Sequence, residues 1–213
     1  MCKFYKLVLR WQCVNSSLQR QIGRSTLFLS GPMCSHDLSV NNTVLQCEMP
    51  PQCAFYPDKA TVYYWDAFET SLTQANLSMT RIYLGIFSHL PFWGKWLLVI
   101  RNKIVSVFGI TGPSSAQLND VGLKERYTVG EPIALFTLLS QNESEIVAGG
   151  KQKHLDFKVS LLRITEDGVS KIIVTTIVSP HNIFGKMYLF VILPFHRIGV
   201  KTLMARAVAA GRV

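Results

Sequence analysis

The strongest constraint on the fold is a long apolar stretch near the C-terminus, residues 175–197, which reads TTIVSPHNIFGKMYLFVILPFHR. Its uninterrupted apolar run, Met187–Phe195, has nine residues and is closely flanked by basic side chains. A membrane-spanning helix needs about 20 apolar residues, so we expect no bilayer crossing here or elsewhere in the chain. The stretch instead predicts a long helix, roughly 182–208, that is apolar on every side and buried in the domain.

The segments before this helix show strand-like and helical patterns separated by turn signals. TVYYWDAFET, residues 61–70, is aromatic and β-branched and predicts a strand. Two short helices are predicted next, at about 79–88 and 92–108. Further strands are predicted at 132–140, 144–150, 154–164 and 170–178, with ERYTVGEP (125–132) as a candidate for another.

This order of elements predicts an α+β fold. A curved antiparallel sheet would wrap on the long C-terminal helix, with the two short helices following the first strand. Such an arrangement buries the apolar helix and leaves a pocket between the helix and the sheet.

Residues 1–48 differ in composition from the rest of the chain. All five cysteines lie in the first 53 residues, and the first acidic residue is Asp37. Three explanations stay open: non-native translation upstream of a native start at Met49 or Met33, a flexible extension, and a targeting peptide. We expect 1–48 to be a non-native or disordered extension with little function and 49–213 to form a single domain.

Charge and cysteine spacing argue against several classes of function. The formal net charge is +9, yet the basic residues are scattered and no nucleic-acid-binding motif is recognisable, so we expect no nucleic acid partner. No C-x-x-C pair and no G-x-G-x-x-G loop occurs, so we expect no metal and no cofactor. The absence of cysteine after residue 53 and of a recognisable secretory signal fits the cytoplasm.

Four segments together resemble one bacterial family, the domain of unknown function 2867. They are YYWDAFE (63–69), IFSHLPFWGKWLLVIRNKIVSVFGI (86–110), KHLDFKVSLL (153–162) and TTIVSPHNIFGKMYLFVILPFHRIGVKTLMARA (175–207). The resemblance covers most of residues 60–208. It implies a helix-grip fold like that of START and Bet v 1-like proteins, and it implies no assigned chemistry.

Two histidines, His181 and His196, stand at the ends of the apolar stretch. On one helix they would lie about 22 Å apart, at about 1.5 Å per residue, so they cannot share a metal ion or a proton. We expect Asn182 to cap the helix and His181 to hydrogen-bond the turn before it.

His154 and Asp156 are the candidate acid–base pair. Strand alternation would place both on one face together with Lys158, where an imidazole beside a carboxylate can exchange protons. Two structural alternatives stay open. The residues form a solvated polar face, or Asp156 anchors a residue of the C-terminal helix such as Arg197 or Tyr188.

The interpretation that joins these observations is a domain that binds a hydrophobic small molecule in a cavity between the sheet and the C-terminal helix. Two alternatives remain: a cyclase- or isomerase-like enzyme that uses His154 and Asp156, and a membrane-surface or partner-binding protein. The last would use the basic, tryptophan-rich helix 92–108 as an amphipathic face, giving peripheral membrane contact. The candidate ligand-binding residues are Tyr188, His181, Trp96 and His196.

Overall fold

The computed structural model describes residues 44–74, 76–91, 94, 124, 127–166 and 168–213. These residues all belong to one compact unit, Ser39–Val213. The predicted helix at 92–108, with Trp96, lies outside the described residues, and so does most of the segment 1–48.

The fold is a seven-stranded antiparallel sheet with two helices on one face, and the predicted α+β class is confirmed. The spatial order of the strands is β1-β2-β7-β6-β5-β4-β3. The helices are α1 (Met79–Phe87) and α2 (Ile183–Ala209), and a short 3₁₀ turn covers Tyr56–Asp58. The strands are β1 (Leu45–Gln46), β2 (Tyr64–Ser71), β3 (Pro132–Ile133), β4 (Phe136–Gln141), β5 (Glu145–Lys151), β6 (Leu155–Glu166) and β7 (Val169–Pro180).

The predicted single strand 132–140 is wrong, because the chain turns back on itself there. Ile133 pairs with Phe136, so β3 and β4 form a tight hairpin. Ala134 lies in the turn with a φ of 48°, a conformation that non-glycine residues adopt rarely. The sequence PIALFTLLS contains no glycine or asparagine that would mark this turn.

The two faces of the sheet bury different clusters. The helical face carries Phe68, Val159 and Val174, and α1 and the C-terminal half of α2 pack on it to form the main core. The opposite face is covered by the segment 49–62. Its cluster consists of Met49, Cys53, Phe55, Val147, Leu162 and Ile177.

A buried carboxylate holds the segment 49–62 against the opposite face. The Ala54 N–H donates a hydrogen bond to Glu145 Oε1 at 3.0 Å, and the Ser160 hydroxyl donates to the same oxygen. These two bonds satisfy a charged group that would otherwise be costly to bury.

The described sheet includes residues that precede the predicted domain boundary at residue 49. β1 pairs with β2 through Leu45 and Glu69, and Met49 itself is buried. The origin of residues 1–48 stays a prediction.

The start of α2 is fixed by a cap and by close packing on β6. The Asn182 side chain accepts a hydrogen bond from the Gly185 N–H at 2.9 Å, which confirms the predicted cap. The His181 N–H donates to the His154 carbonyl at 2.9 Å. A Cβ on Gly185 would overlap that same carbonyl oxygen, so only glycine allows this approach of the helix.

The expectation that the domain buries the apolar helix α2 is wrong for its outward side. Large apolar side chains on its outward side are exposed, because α2 packs on the sheet along one side only. By length and composition alone, α2 is also long and apolar enough to cross a membrane, contrary to expectation. Its 18-residue window has a mean hydropathy of 1.4 and is 17% buried.

We expect Gly185→Ala to lower the free energy of unfolding by about 1–3 kcal/mol or more, since the added methyl must displace a backbone carbonyl. Urea unfolding followed by circular dichroism measures the change. Met187→Ala, on the exposed side of the same helix, is the control and should change the free energy by no more than about 0.5 kcal/mol. Equal midpoints for both variants would contradict the close approach.

Candidate functional site

A buried aspartate, Asp66, is the centre of a polar cluster between β2 and α2. It is 1% exposed. The Tyr64 hydroxyl donates a hydrogen bond to Asp66 Oδ2 at 2.5 Å, and His196 Nε2 lies 3.4 Å from Asp66 Oδ1. The Arg197 Nε–H donates to the Tyr64 oxygen at 3.1 Å. The cluster therefore connects one buried carboxylate to two adjacent residues of α2.

The local structure of β2 and α2 explains why these four side chains meet. Strand alternation places Tyr64 and Asp66 on the helical face together with Phe68. His196 and Arg197 are consecutive in α2, so one approaches Asp66 while the other approaches Tyr64. The Arg197 guanidinium carbon also lies 5.7 Å from the centre of the Tyr64 ring, a cation–π distance.

Tyr64 acts as a hydrogen-bond donor in this cluster. Burial and the neighbouring Asp66 charge raise the pKa of its phenol above the ordinary value. The phenol therefore stays protonated at neutral pH. A protonated phenol suits a carboxylate partner and leaves its oxygen free to accept from Arg197.

The two histidines of the apolar stretch belong to separate pairs. His181 Nε2 lies 3.3 Å from Asp156 Oδ2, at the exposed start of α2. His196 pairs with Asp66 instead, farther along the helix. Each histidine thus has its own carboxylate.

The structure does not present His154 and Asp156 as one acid–base unit. β6 begins at Leu155, so His154 precedes the strand and the predicted alternation does not extend to it. The His154 ring is buried and makes edge contacts with Phe184 and Tyr188 at centroid distances of 5.4 and 5.1 Å. Asp156 pairs with His181 rather than anchoring Arg197 or Tyr188.

Asp66 was not identified from the sequence, although a signal was present. It is the only charged residue within the aromatic run YYWDAF. A charged side chain on the same strand face as inward-facing Tyr64 and Phe68 must find partners across the core. Those partners, on α2, lie more than a hundred residues away in the chain.

A row of aromatic rings crosses the helical face from α1 toward β6. Ring centroids are 4.6 Å apart for Tyr83 and Phe87, 6.2 Å for Phe87 and Phe136, and 5.1 Å for Phe136 and Phe157. A Cβ on Gly150 would lie 3.0 Å from two Phe157 ring atoms, so the glycine leaves room for this ring. Phe136 and Phe157 are only partly buried.

Several hydroxyl oxygens on the helical side are buried and have no hydrogen-bond partner among the described residues. Three of them belong to buried residues, Tyr83 on α1, Thr70 on β2 and Thr176 on β7. Burial also raises the pKa of the Tyr83 phenol, so this group stays neutral. A buried hydroxyl without a partner is costly and is a position where a ligand atom can bind.

The described part of the chain contains no group of three or more metal-ligating side chains. The two described cysteines are free thiols, Cys47 and Cys53. Burial raises the pKa of Cys47 to about 12 and raises that of Cys53 as well. Since the thiolate is the nucleophile, neither thiol is activated at neutral pH.

Asp66→Asn should destabilise the protein far more than Asp156→Asn. The first change removes a buried charge that His196 contacts directly and Arg197 reaches through Tyr64, and we expect a loss of about 3–5 kcal/mol. The second removes a partly exposed pair, and we expect no more than about 1 kcal/mol. Urea unfolding of the two variants measures the difference. Similar losses would show that the Asp66 cluster does not hold α2.

The raised pKa values of Tyr64 and Tyr83 predict alkaline destabilisation. Above about pH 10 the unfolded chain releases protons that the folded chain retains, so stability is present below that pH and falls as pH rises. Tyr83→Phe should make the fall shallower and leave the unfolding midpoint at pH 7 unchanged or slightly raised. Thermal unfolding between pH 7 and 11 measures both. An unchanged slope would contradict the burial of this phenol.

Comparison with known proteins identifies a family. A family model described as "Protein of unknown function (DUF2867)" matches residues 59–203. This range runs from before β2 into α2 and includes the whole Asp66 cluster. No curated protein matches the chain, and no solved structure matches it either. The helix-grip, START-like assignment therefore stays a prediction. The chain belongs to the DUF2867 family of proteins of unknown function.

Proposed function

We propose that this domain binds a hydrophobic small molecule on the helical face of the sheet, next to α2. The observation that carries the proposal is the combination of the partly buried aromatic row with three buried hydroxyls that lack partners among the described residues. Ligand sites are mainly apolar and aromatic, with few polar groups that fix orientation.

The surroundings of Thr176 favour a neutral ligand. Thr176 lies opposite Asp66 in the pairing of β2 with β7, and both belong to the helical face. The Asp66 carboxylate already has His196 as a neighbour and is connected through the Tyr64 hydroxyl to Arg197. A ligand carboxylate near Thr176 would be repelled by Asp66, whereas an alcohol or carbonyl oxygen would only need a hydroxyl partner.

The Asp66 cluster would then position one wall of the site. It holds the middle of α2 against β2, while Leu189, Tyr188 and Leu193 pack against Leu155 and Val178. Phe157 packs against the same cluster and also contacts Phe136 of the aromatic row. Of the ligand-binding residues predicted from the sequence, Tyr188 and His196 lie in this region.

The enzymatic alternative that uses His154 and Asp156 remains a prediction from the sequence alone. It gains no support from the geometry, because each of these residues has a different neighbour. A membrane-surface role rests on separate observations of α2.

Native mass spectrometry of the full chain, purified gently, should detect a small molecule that is lost on denaturation. Decanol should also displace the fluorescent probe phenylnaphthylamine. Thr176→Val keeps the side-chain shape and removes the hydroxyl, so decanol affinity should fall about fivefold, the value of one hydrogen bond.

Thr175→Val is the matched control for this experiment. Thr175 is the adjacent buried threonine, but it belongs to the opposite face of the sheet. It should leave decanol affinity unchanged. Absence of any bound molecule and of probe binding, or equal effects of the two variants, would overturn the proposal.

A further inference from the structure

The outward side of α2 carries a continuous apolar strip, here called the outer stripe. Its residues follow three- and four-residue spacing, so they lie on one side of the helix. Their exposed fractions range from 47% for Phe195 to 74% for Ile183. The outer stripe consists of Ile183, Met187, Phe190, Val191, Phe195 and Ile198.

The outer stripe is exposed while the other side of α2 is held in the fold. Val200, Leu203 and Met204 belong to the main core, and His196 and Arg197 connect to β2. A partner can therefore contact the stripe without any unfolding. From Ile183 to Ile198 the outer stripe spans 16 residues of α2, a length of about 24 Å along the helix axis at ~1.5 Å per residue.

The charges along α2 are all of one sign. The helix contains no aspartate or glutamate, and its charged residues are Lys186, Arg197, Lys201 and Arg206. Lys186 precedes Met187, and its ammonium lies 5.4 Å from the ring centre of Tyr63, an exposed aromatic residue. The Lys201 ammonium lies on the core side instead, 5.3 Å from the ring centre of buried Phe68. The apolar strip thus has the basic side chain of Lys186 at its margin.

We propose that α2 docks in the plane of an anionic membrane surface, with the outer stripe in the region between headgroups and acyl chains. Apolar area would be buried there, while lysine side chains reach the lipid phosphates. The chain's net charge of +9 adds attraction to the same surface. This inference does not depend on whether a small molecule binds on the helical face.

Charge complementarity favours this partner over a second copy of the chain. A symmetric dimer through the outer stripe would bring the basic margins of two α2 helices together, with no acidic residue on either helix to pair with them. Crossing of the bilayer by α2 is disfavoured because its inward side would have to leave the main core. Docking in the plane of the membrane leaves the inward side of α2 in the main core and brings no two basic surfaces together.

The test is co-sedimentation of the full chain with vesicles of phosphatidylcholine alone or mixed with phosphatidylglycerol, at low and high salt. We expect binding to the mixed vesicles at low salt and a several-fold loss at high salt. The double variant Phe190→Gln/Phe195→Gln should lower the partition coefficient by about tenfold or more. Lys186→Glu should lower it by about tenfold as well.

Matched controls separate the stripe from general properties of the protein. Leu45→Gln/Val169→Gln removes exposed apolar residues outside α2, and Lys158→Glu reverses an exposed charge on the opposite face of the sheet. Both controls should bind vesicles within about twofold of the wild type. Lys158→Glu also measures how much binding is lost through the change in net charge alone. All variants should retain the wild-type circular dichroism spectrum.

Four results would overturn the proposal. The first is no binding to anionic vesicles at low salt, and the second is equal loss in stripe and control variants. The third is a dimer, seen by light scattering without lipid, that the stripe variants dissociate. The fourth is resistance of the bound protein to extraction at alkaline pH, which indicates insertion instead of docking.

Discussion

The rest of the structure depends on how one buried carboxylate is neutralised. Asp66 lies on the helical face, and without partners its charge would be prohibitively costly there. Its partners come from α2 directly and through Tyr64, so satisfying the charge also fixes the position and rotation of that helix. The same rotation buries Leu203 and Met204 and turns the outer stripe to solvent. The surface proposed for lipid contact is thus a consequence of a polar interaction in the core.

Much of the fold could be predicted because its long elements have strong periodic patterns. The strands of the β6–β7 hairpin are predictable from the two β-branched runs at 154–164 and 170–178, and α2 from its length and from Asn182. The β3–β4 turn at Ala134 was missed because no turn residue marks it. The exposure of the outer stripe was missed for another reason. A helix that is apolar on every side has no polar side by which to orient it, so composition alone cannot tell which residues face the sheet.

The candidate site was only partly predictable, since its members meet through long-range packing. Tyr188 and His196 are candidates from the apolar stretch; Tyr188 packs against the same cluster as Phe157 of the aromatic row, and His196 contacts Asp66. The pairing of Asp156 with His181 instead of His154 depends on where β6 begins, a boundary that patterns locate poorly. The buried hydroxyls of Tyr83 and Thr176 have no sequence signal, because only the completed fold determines which hydroxyls lack partners.

The order of strands in the sheet also has a consequence for how the chain folds. β4, β5, β6 and β7 are consecutive in sequence and pair as neighbours, so closing them needs only short loops. β2 pairs with β7 across about a hundred residues, and the entropy of closing so large a loop delays this step. We expect the contacts among β4, β5, β6 and β7 to form earlier than the pairing of β2 with β7. Asp66 would reach its final position late, together with β2. Its contacts with His196 and Tyr64 would then fix the position of α2.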